Sequence, residues 1–390
     1  MTIRRGRSWR IRTLACTALA AALGTGTLTA GPAEAAPADL RITRFLGEQR
    51  VPFKQQFMGT TVGGFSGIDR DPATDTWYLV SDDRWRYNPA RFYTGKLDIN
   101  RGTGAFTGFR LTGVNTFLRS DGTPYPGFGL ADTVDPETIR FDRHRGRLLW
   151  GQEGDRSDET HPGIPLSNLS LRWIDREGRH LGEVPLPANL NLTQTTSGPR
   201  RNYGIEALTF TPRSIVAAVE TSRYEDGPQP TVDHGAPARI TVWDRAGRRA
   251  HAQYAYPIDR LTSAPNPPTG IADSGVSEIL AVDDHRFLAM ERTWLEGVSK
   301  NYVVKLYEFD LRGATNILAR NSLTDGRPYR PVAKRLVADL TTFRAPSQNL
   351  ESLGWGPRLA TGECSLVIGS DDNFSGEEVT QLLAFAVRGC

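Results

Sequence analysis

Short apolar runs bounded by turn residues recur along this chain at a long, even interval. Phe65-Ser66-Gly67-Ile68, Pro136-Glu137-Thr138-Ile139, Ile205-Glu206-Ala207-Leu208, Ser277-Glu278-Ile279-Leu280 and Leu350-Glu351-Ser352-Leu353 share one shape. Matched at positions 67, 137, 206, 278 and 351, they are spaced by 70, 69, 72 and 73 residues. A second run follows each, at 77–80, 148–151, 215–219, 287–290 and 366–369. A third ends at Asp98, Asp175, Asp244 or Asp310, mostly with Gly shortly after. Gly takes the positive-φ position of a hairpin turn and Asp bonds the turn backbone, so these aspartates are structural. Further strands are expected at 179–184 and 249–255.

Runs this short, rich in β-branched and aromatic residues, are strands. Four antiparallel strands at a fixed period, with no amphipathic helix between them, predict an all-β fold, a β-propeller of four-stranded blades. Five repeats fill the chain, so five blades are expected; six is the alternative, if a long connection hides a divergent blade. The fifth unit stops after a third strand at 382–387, and residues 40–45 supply a spare one. Pairing the two closes the ring and removes two sheet edges.

The chain opens differently. Five arginines, Arg4 to Arg12, precede an Ala-rich apolar stretch and the small-x-small site Ala33-Glu34-Ala35, the pattern of an export signal over residues 1–35. Residues 36–390 then form a single secreted propeller domain, with no membrane attachment after cleavage. Residues 1–35 hold five Arg and one Glu, so losing them turns a net charge of +3 into −1 and removes the case for nucleic-acid binding. Cys364 and Cys390 are the cysteines left, at the start of one blade-five strand and the end of its neighbour, and in an exported protein they predict a disulfide.

Candidate chemistry follows from the hairpin geometry. The start of a first strand and the end of a second lie at the same end of a blade. Glu137, Glu206, Glu278 and Glu351 begin innermost strands; Asp82, Asp83, Glu153, Glu220, Glu291, Asp371 and Asp372 end second strands. All are expected at one mouth of the central channel. Blade one has Gly67 at the inner position, which would leave room for a ligand. Arginines follow in four units, as Arg84, Arg156, Arg223 and Arg292.

Crowded carboxylates repel unless protons, arginines or cations compensate. An oxygen-only set of this size favours a hard divalent cation, Ca²⁺ first, and arginines suit an anionic ester group. The expected function is a metal-dependent ester hydrolase acting on a small anionic substrate, a phosphoester first, with Glu206, Glu278 and the four arginines catalytic and the acids as metal ligands. Two alternatives stay open: an ion-pair lock of the ring in a non-catalytic binding propeller, and a Ca²⁺-dependent lactonase or carboxylesterase. Among the histidines only His161 and His234, in long connections, are placed to reach a substrate. No Gly-x-Ser-x-Gly elbow occurs, and a monomer is expected.

The units from Gly63-Gly64-Phe65-Ser66-Gly67 through Asp135-Pro136-Glu137, Asn202-Tyr203-Gly204-Ile205-Glu206 and Asn349-Leu350-Glu351 resemble the phytase-like family, labelled "esterase-like activity of phytase". The resemblance spans about residues 60–387. It implies an exported propeller with phosphomonoester or ester hydrolase activity, and assigns no catalytic residues.

Overall fold

A computed structural model describes residues 39–299, 301–341, 343 and 348–390. The expected export signal lies outside the described residues.

Strand β1 (Arg41–Arg50) is followed by a small hairpin, β2 (Gln56–Phe57) and β3 (Thr60–Thr61). Blade 1 is β4 (Gly67–Asp71), β5 (Thr76–Ser81), β6 (Arg91–Ile99) and β7 (Phe106–Thr116). Blade 2 is β8 (Pro136–Asp142), β9 (Arg147–Gln152), β10 (Ser170–Ile174) and β11 (His180–Val184). Blade 3 is β12 (Ile205–Phe210), β13 (Ser214–Val219), β14 (Ala236–Asp244) and β15 (Ala250–Ile258). Blade 4 is β16 (Ala272–Ala281), β17 (Arg286–Leu295), β18 (Tyr302–Asp310) and β19 (Ala333–Asp339). Blade 5 contributes β20 (Leu350–Arg358), β21 (Cys364–Ser370) and β22 (Gln381–Arg388).

These strands form five four-stranded sheets, and β1 completes the last in the order β1-β22-β21-β20. The ring is therefore closed by the N-terminal strand, as expected, with Arg41 opposite Arg388 and Arg50 opposite Gln381. The Cys364–Cys390 disulfide is formed, with the Cα atoms 6.3 Å apart, at the end of β21 remote from Asp371. Each blade buries both faces against its neighbours, so Trp77, Trp150 and Trp243 are fully enclosed between sheets. Among the described residues no helix is long and apolar enough to cross a membrane.

The channel is not open from end to end. From β8, Arg140 reaches the axis and donates to the carbonyls of Ile68, Leu208 (2.5 Å), Ile279 (3.1 Å) and Leu353 (2.8 Å). One guanidinium thus touches the innermost strand of every other blade, with Glu278 as its counter-ion at 2.7 Å. This pair plugs the channel and turns one mouth into a blind pocket.

Candidate active site

The plugged mouth holds a cavity of about 670 Å³. Strand pairing defines which residues are equivalent around it. Val80, Gly151, Ala218, Met290 and Gly369 stand opposite Gly67, Thr138, Ala207, Glu278 and Ser352. Two residues beyond the first set come Asp82, Glu153, Glu220, Arg292 and Asp371, all of which border the pocket. One residue before the second set come Ser66, Glu137, Glu206, Ser277 and Glu351. In blades 2 to 5 that residue is skipped by the pairing, a β-bulge. A bulge re-aims its extra side chain out of the ladder, and Glu137, Glu206 and Glu351 border the pocket.

Blade 4 therefore departs from the sequence alignment by one residue on both strands, and two expected ligands leave the site. Glu278 occupies the Thr138 position, deeper on the axis, where it binds Arg140 and accepts the Leu208 amide at 3.0 Å. Glu291 lies on the opposite face of β17 from Arg292, because side chains alternate along a strand. There it accepts from the Tyr256 hydroxyl at 2.7 Å and pairs with Lys334.

Four further expectations are corrected. Asp83 borders the pocket, but its carboxylate is held by Arg91 and by the amides of Tyr87 and Asn88, both at 2.8 Å. Asp372 accepts the amides of Gly64 at 2.9 Å and Phe374 at 3.2 Å, docking blade 5 onto blade 1. Arg156 staples the 187–203 connection through Thr193 O at 2.8 Å and the Tyr224 hydroxyl at 3.0 Å. Arg223 pairs with Glu225 at 2.7 Å and donates to Asn321 O at 3.1 Å. None of these four carries an unengaged charge into the pocket. Gly67 makes no room for a ligand either: a Cβ there would meet Thr138 Cα at 2.8 Å and Glu137 O at 2.9 Å. Its bare backbone lets blades 1 and 2 approach. His161 and His234 are exposed and do not border the pocket.

The retained groups are unevenly partnered. Arg84 holds Asp135, Glu153 at 3.0 Å and Asn202 at 2.6 Å. Arg292 holds Glu220 at 3.0 Å, Asp273 at 3.2 Å and Glu351 at 3.4 Å. The blade-4 side of the ring is thus a lock of ion pairs. Glu137 and Glu206 are different, since neither makes a hydrogen bond or ion pair among the described residues, although both are nearly buried. Ligand oxygens of Glu137, Glu153 and Glu206 lie within 4.8 Å of one another, as do those of Asp82, Asp135 and Glu137. Asp135 Oδ1 and Asp82 Oδ1 are buried without a hydrogen-bond partner.

Such crowding acts on protonation. Burial first, then neighbouring carboxylates, push Glu137, Glu206, Glu220 and Asp371 well above the usual carboxylate range. Burial likewise carries Glu153 and Glu351 up to about 7, with Arg84 and Arg292 holding each back. Burial would lower the two guanidiniums, but the surrounding carboxylates outweigh it and both are raised. Burial and mutual repulsion thus oppose ionisation of the carboxyls around this pocket.

Sequence reasoning missed Asp135, Asp273 and Asn349. Asp135 and Asn349 stand two residues before Glu137 and Glu351, so an Asx-x-Glu repeat was legible. The aromatic side chains that border the pocket, Phe128, Trp294, Tyr302 and Phe374, carried no such signal.

Fold and site together define a five-bladed propeller with a blind acidic pocket. Residues 60–374 match the Phytase-like family, described as "Esterase-like activity of phytase", and the chain belongs to that family. No curated protein sequence matches it. Among solved structures, the chain is similar to the GH43 protein BlXynB from Bacillus licheniformis at 12% identity and a TM-score of 0.42, covering 86% of this chain and 54% of that one. An exo-beta-1,3-galactanase from Phanerochaete chrysosporium shares 8% identity at a TM-score of 0.43, covering 90% and 64%. An alpha-L-arabinofuranosidase from Lactobacillus brevis also shares 8% at 0.43, covering 83% and 90%. The chain spans 54% and 64% of the first two structures' own lengths.

Proposed function

We propose that this protein is a secreted, metal-dependent ester hydrolase that acts on phosphoesters at the acidic mouth of the propeller. One observation carries the reading: in each of two groups of three carboxylates, which share Glu137, the ligand oxygens lie within 4.8 Å of one another. The donor set is oxygen only and includes buried, unpartnered Asp82 Oδ1 and Asp135 Oδ1. It fits a hard divalent cation, Ca²⁺ in preference to zinc.

Asp82, Asp135, Glu137 and Glu153 are the residues that would hold the cation. When bound, a cation of this kind supplies electrophilic polarisation of the ester oxygen and an acidified water. Glu206 stands beside Glu137 with a carboxylate committed to no other partner, placed to take the water's proton. Arg84 and Arg292 border the pocket from blades 1 and 4 but are paired with its carboxylates, so the cation itself would supply the positive charge that meets an anionic head. Asn202, anchored on Arg84, fixes the orientation of that guanidinium.

Thermal unfolding in EDTA and then in Ca²⁺, beside hydrolysis of p-nitrophenyl phosphate and p-nitrophenyl acetate, tests the reading. Expected are Ca²⁺-linked stabilisation and Ca²⁺-dependent release of phosphate. A melting curve indifferent to Ca²⁺, with neither ester turned over, abolishes it. Turnover of the acetate alone moves the activity to carboxyl esters.

A further inference from the structure

The pocket has two unlike halves. Its floor is the carboxylate ring, and part of its wall is aromatic. Blade 4 builds that wall by length: β16 and β17 each run to ten residues and carry on past the bulge, out over the mouth. At their raised end Asp273, Trp294 and Tyr302 stand in register across three strands, and residues in register share a face. Tyr302 is fixed there by its hydroxyl bond to Glu378 at 2.7 Å. Elsewhere on the rim, Phe128 is nearly half exposed and Phe374, itself buried, packs against Tyr87 at 5.1 Å.

Phe374 sits in strained backbone. Asn373 and Phe374 have φ of 46° and 49°, and Arg84 and Trp85, at the equivalent positions of blade 1, have φ of 47° and 63°. Two consecutive non-glycine residues in the left-handed region are costly, and such strain persists where the surroundings over-determine it. Both turns deliver a side chain to the pocket rim, Phe374 from one and Arg84 from the other.

Charge decides what else can enter. Ten carboxyl groups border the pocket against three guanidiniums. Two of these, Arg84 and Arg292, are already held by carboxylates. The third, Arg86, donates to Asn373 O at 3.2 Å. A bound cation offsets one anionic head; a second or third phosphate on the same molecule would face carboxylates with no cation left to meet it.

We propose that the site takes monoesters with a single anionic head and one apolar, aromatic-sized arm lying against Trp294, Phe128 and Phe374, and that it rejects polyphosphorylated polyols. This rests on the hydrolase reading for the head and goes beyond it for the arm. The test is calorimetric titration of the Ca²⁺-loaded full chain with two phosphonates that cannot be hydrolysed, phenylphosphonate and methylphosphonate, and with the ester fructose 1,6-bisphosphate, whose phosphate release is followed in parallel. Phenylphosphonate is expected to bind about ten-fold more tightly than methylphosphonate, the gain of one aromatic contact with partial burial. Trp294→Ala and Phe128→Ala should each shrink that ratio and leave methylphosphonate unchanged. Phe128 is exposed on a loop, so its variant reports even where Trp294→Ala fails to fold. Equal affinity for the phenyl and methyl probes, tighter binding of the bisphosphate, a ratio that survives both substitutions, or no binding of any probe would each overturn the proposal. Phenyl preference without turnover of any ester would instead remove the catalytic reading and leave the ligand class standing.

Discussion

Arg140 and Glu278 meet at 2.7 Å on the propeller axis, one from blade 2 and the other from blade 4. Neither blade adjoins the other in the ring, so the pair spans the channel. Because the guanidinium also holds a carbonyl from each of the other four blades, it orders all five innermost strands around one group. Burial carries Glu278 up to about 7, with Arg140 the chief opposing influence.

Arg140→Met should therefore act on stability and not on ligand contact. It leaves Glu278 buried without its counter-ion and takes a guanidinium donor from four carbonyls, and removing one member of a buried pair costs about 3–5 kcal/mol. Denaturant unfolding checks this, and a loss below about 0.5 kcal/mol, the range of neutral surface changes, would show the plug to be ornamental.

The fold was legible because strand signals repeat at a fixed period and survive small errors of alignment. The site was legible only where that alignment was right to the residue. Pairing Ser277-Glu278-Ile279 with Pro136-Glu137-Thr138 matched the carboxylates by type, whereas the bulge pairs Ser277 with Glu137. A shift of one residue in a strand changes the face, and so Glu278 and Glu291 were both misplaced. Arg292 was found as an arginine following the ring, yet it stands in the ring itself, at the place of Glu153 and Glu220. Arg140 gave no signal at all. Its equivalents, Asp69, Thr209, Leu280 and Gly354, have nothing in common with it, because one arginine on an axis serves five blades.

Glu206→Gln should separate a general base from a structural lock. Glu206 has no ion pair to lose, so the variant is expected to melt within a few degrees of the parent in EDTA. It removes a carboxylate that others repel, so any shift should be upward. Ca²⁺-linked stabilisation should persist, since Asp82, Asp135, Glu137 and Glu153 remain to hold the cation, while hydrolysis should fall by about 10²-fold or more, the usual contribution of a general base. Arg292→Gln should behave oppositely and lower the melting temperature, since it strands Glu220, Asp273 and Glu351 together. If the two variants lose stability alike, Glu206 is architectural.

Reduction of Cys364–Cys390, or Cys364→Ser with Cys390→Ser, should loosen ring closure and spare the pocket. The bridge spans 26 residues and ties the end of β22 to β21, the strands against which β1 is laid. Loop-closure entropy puts its contribution at about 3–4 kcal/mol. The double variant should unfold at lower denaturant yet retain Ca²⁺ binding at low temperature. Loss of Ca²⁺ binding in a still-folded variant would contradict the placement of the disulfide away from the site.

The pH dependence of stability should run opposite to that of an ordinary salt-bridged protein. Glu153 and Glu351 titrate near 4.5 when exposed and are raised to about 7 in the fold. Between those values the folded chain binds more protons than the unfolded one, so stability falls as pH rises. Glu137, Glu206, Glu220 and Asp371 are raised as well and add to the decline. In EDTA the melting temperature should therefore drop steadily from about pH 5 to about pH 8. Ca²⁺ replaces the protons, so in its presence the decline should flatten. Calorimetric titration of Ca²⁺ at neutral pH, in buffers of different ionisation enthalpy, should show net proton release. A melting temperature in EDTA that climbs over the same range would mean that the carboxylates are already ionised and paired, and the site would then have no protons for a cation to displace.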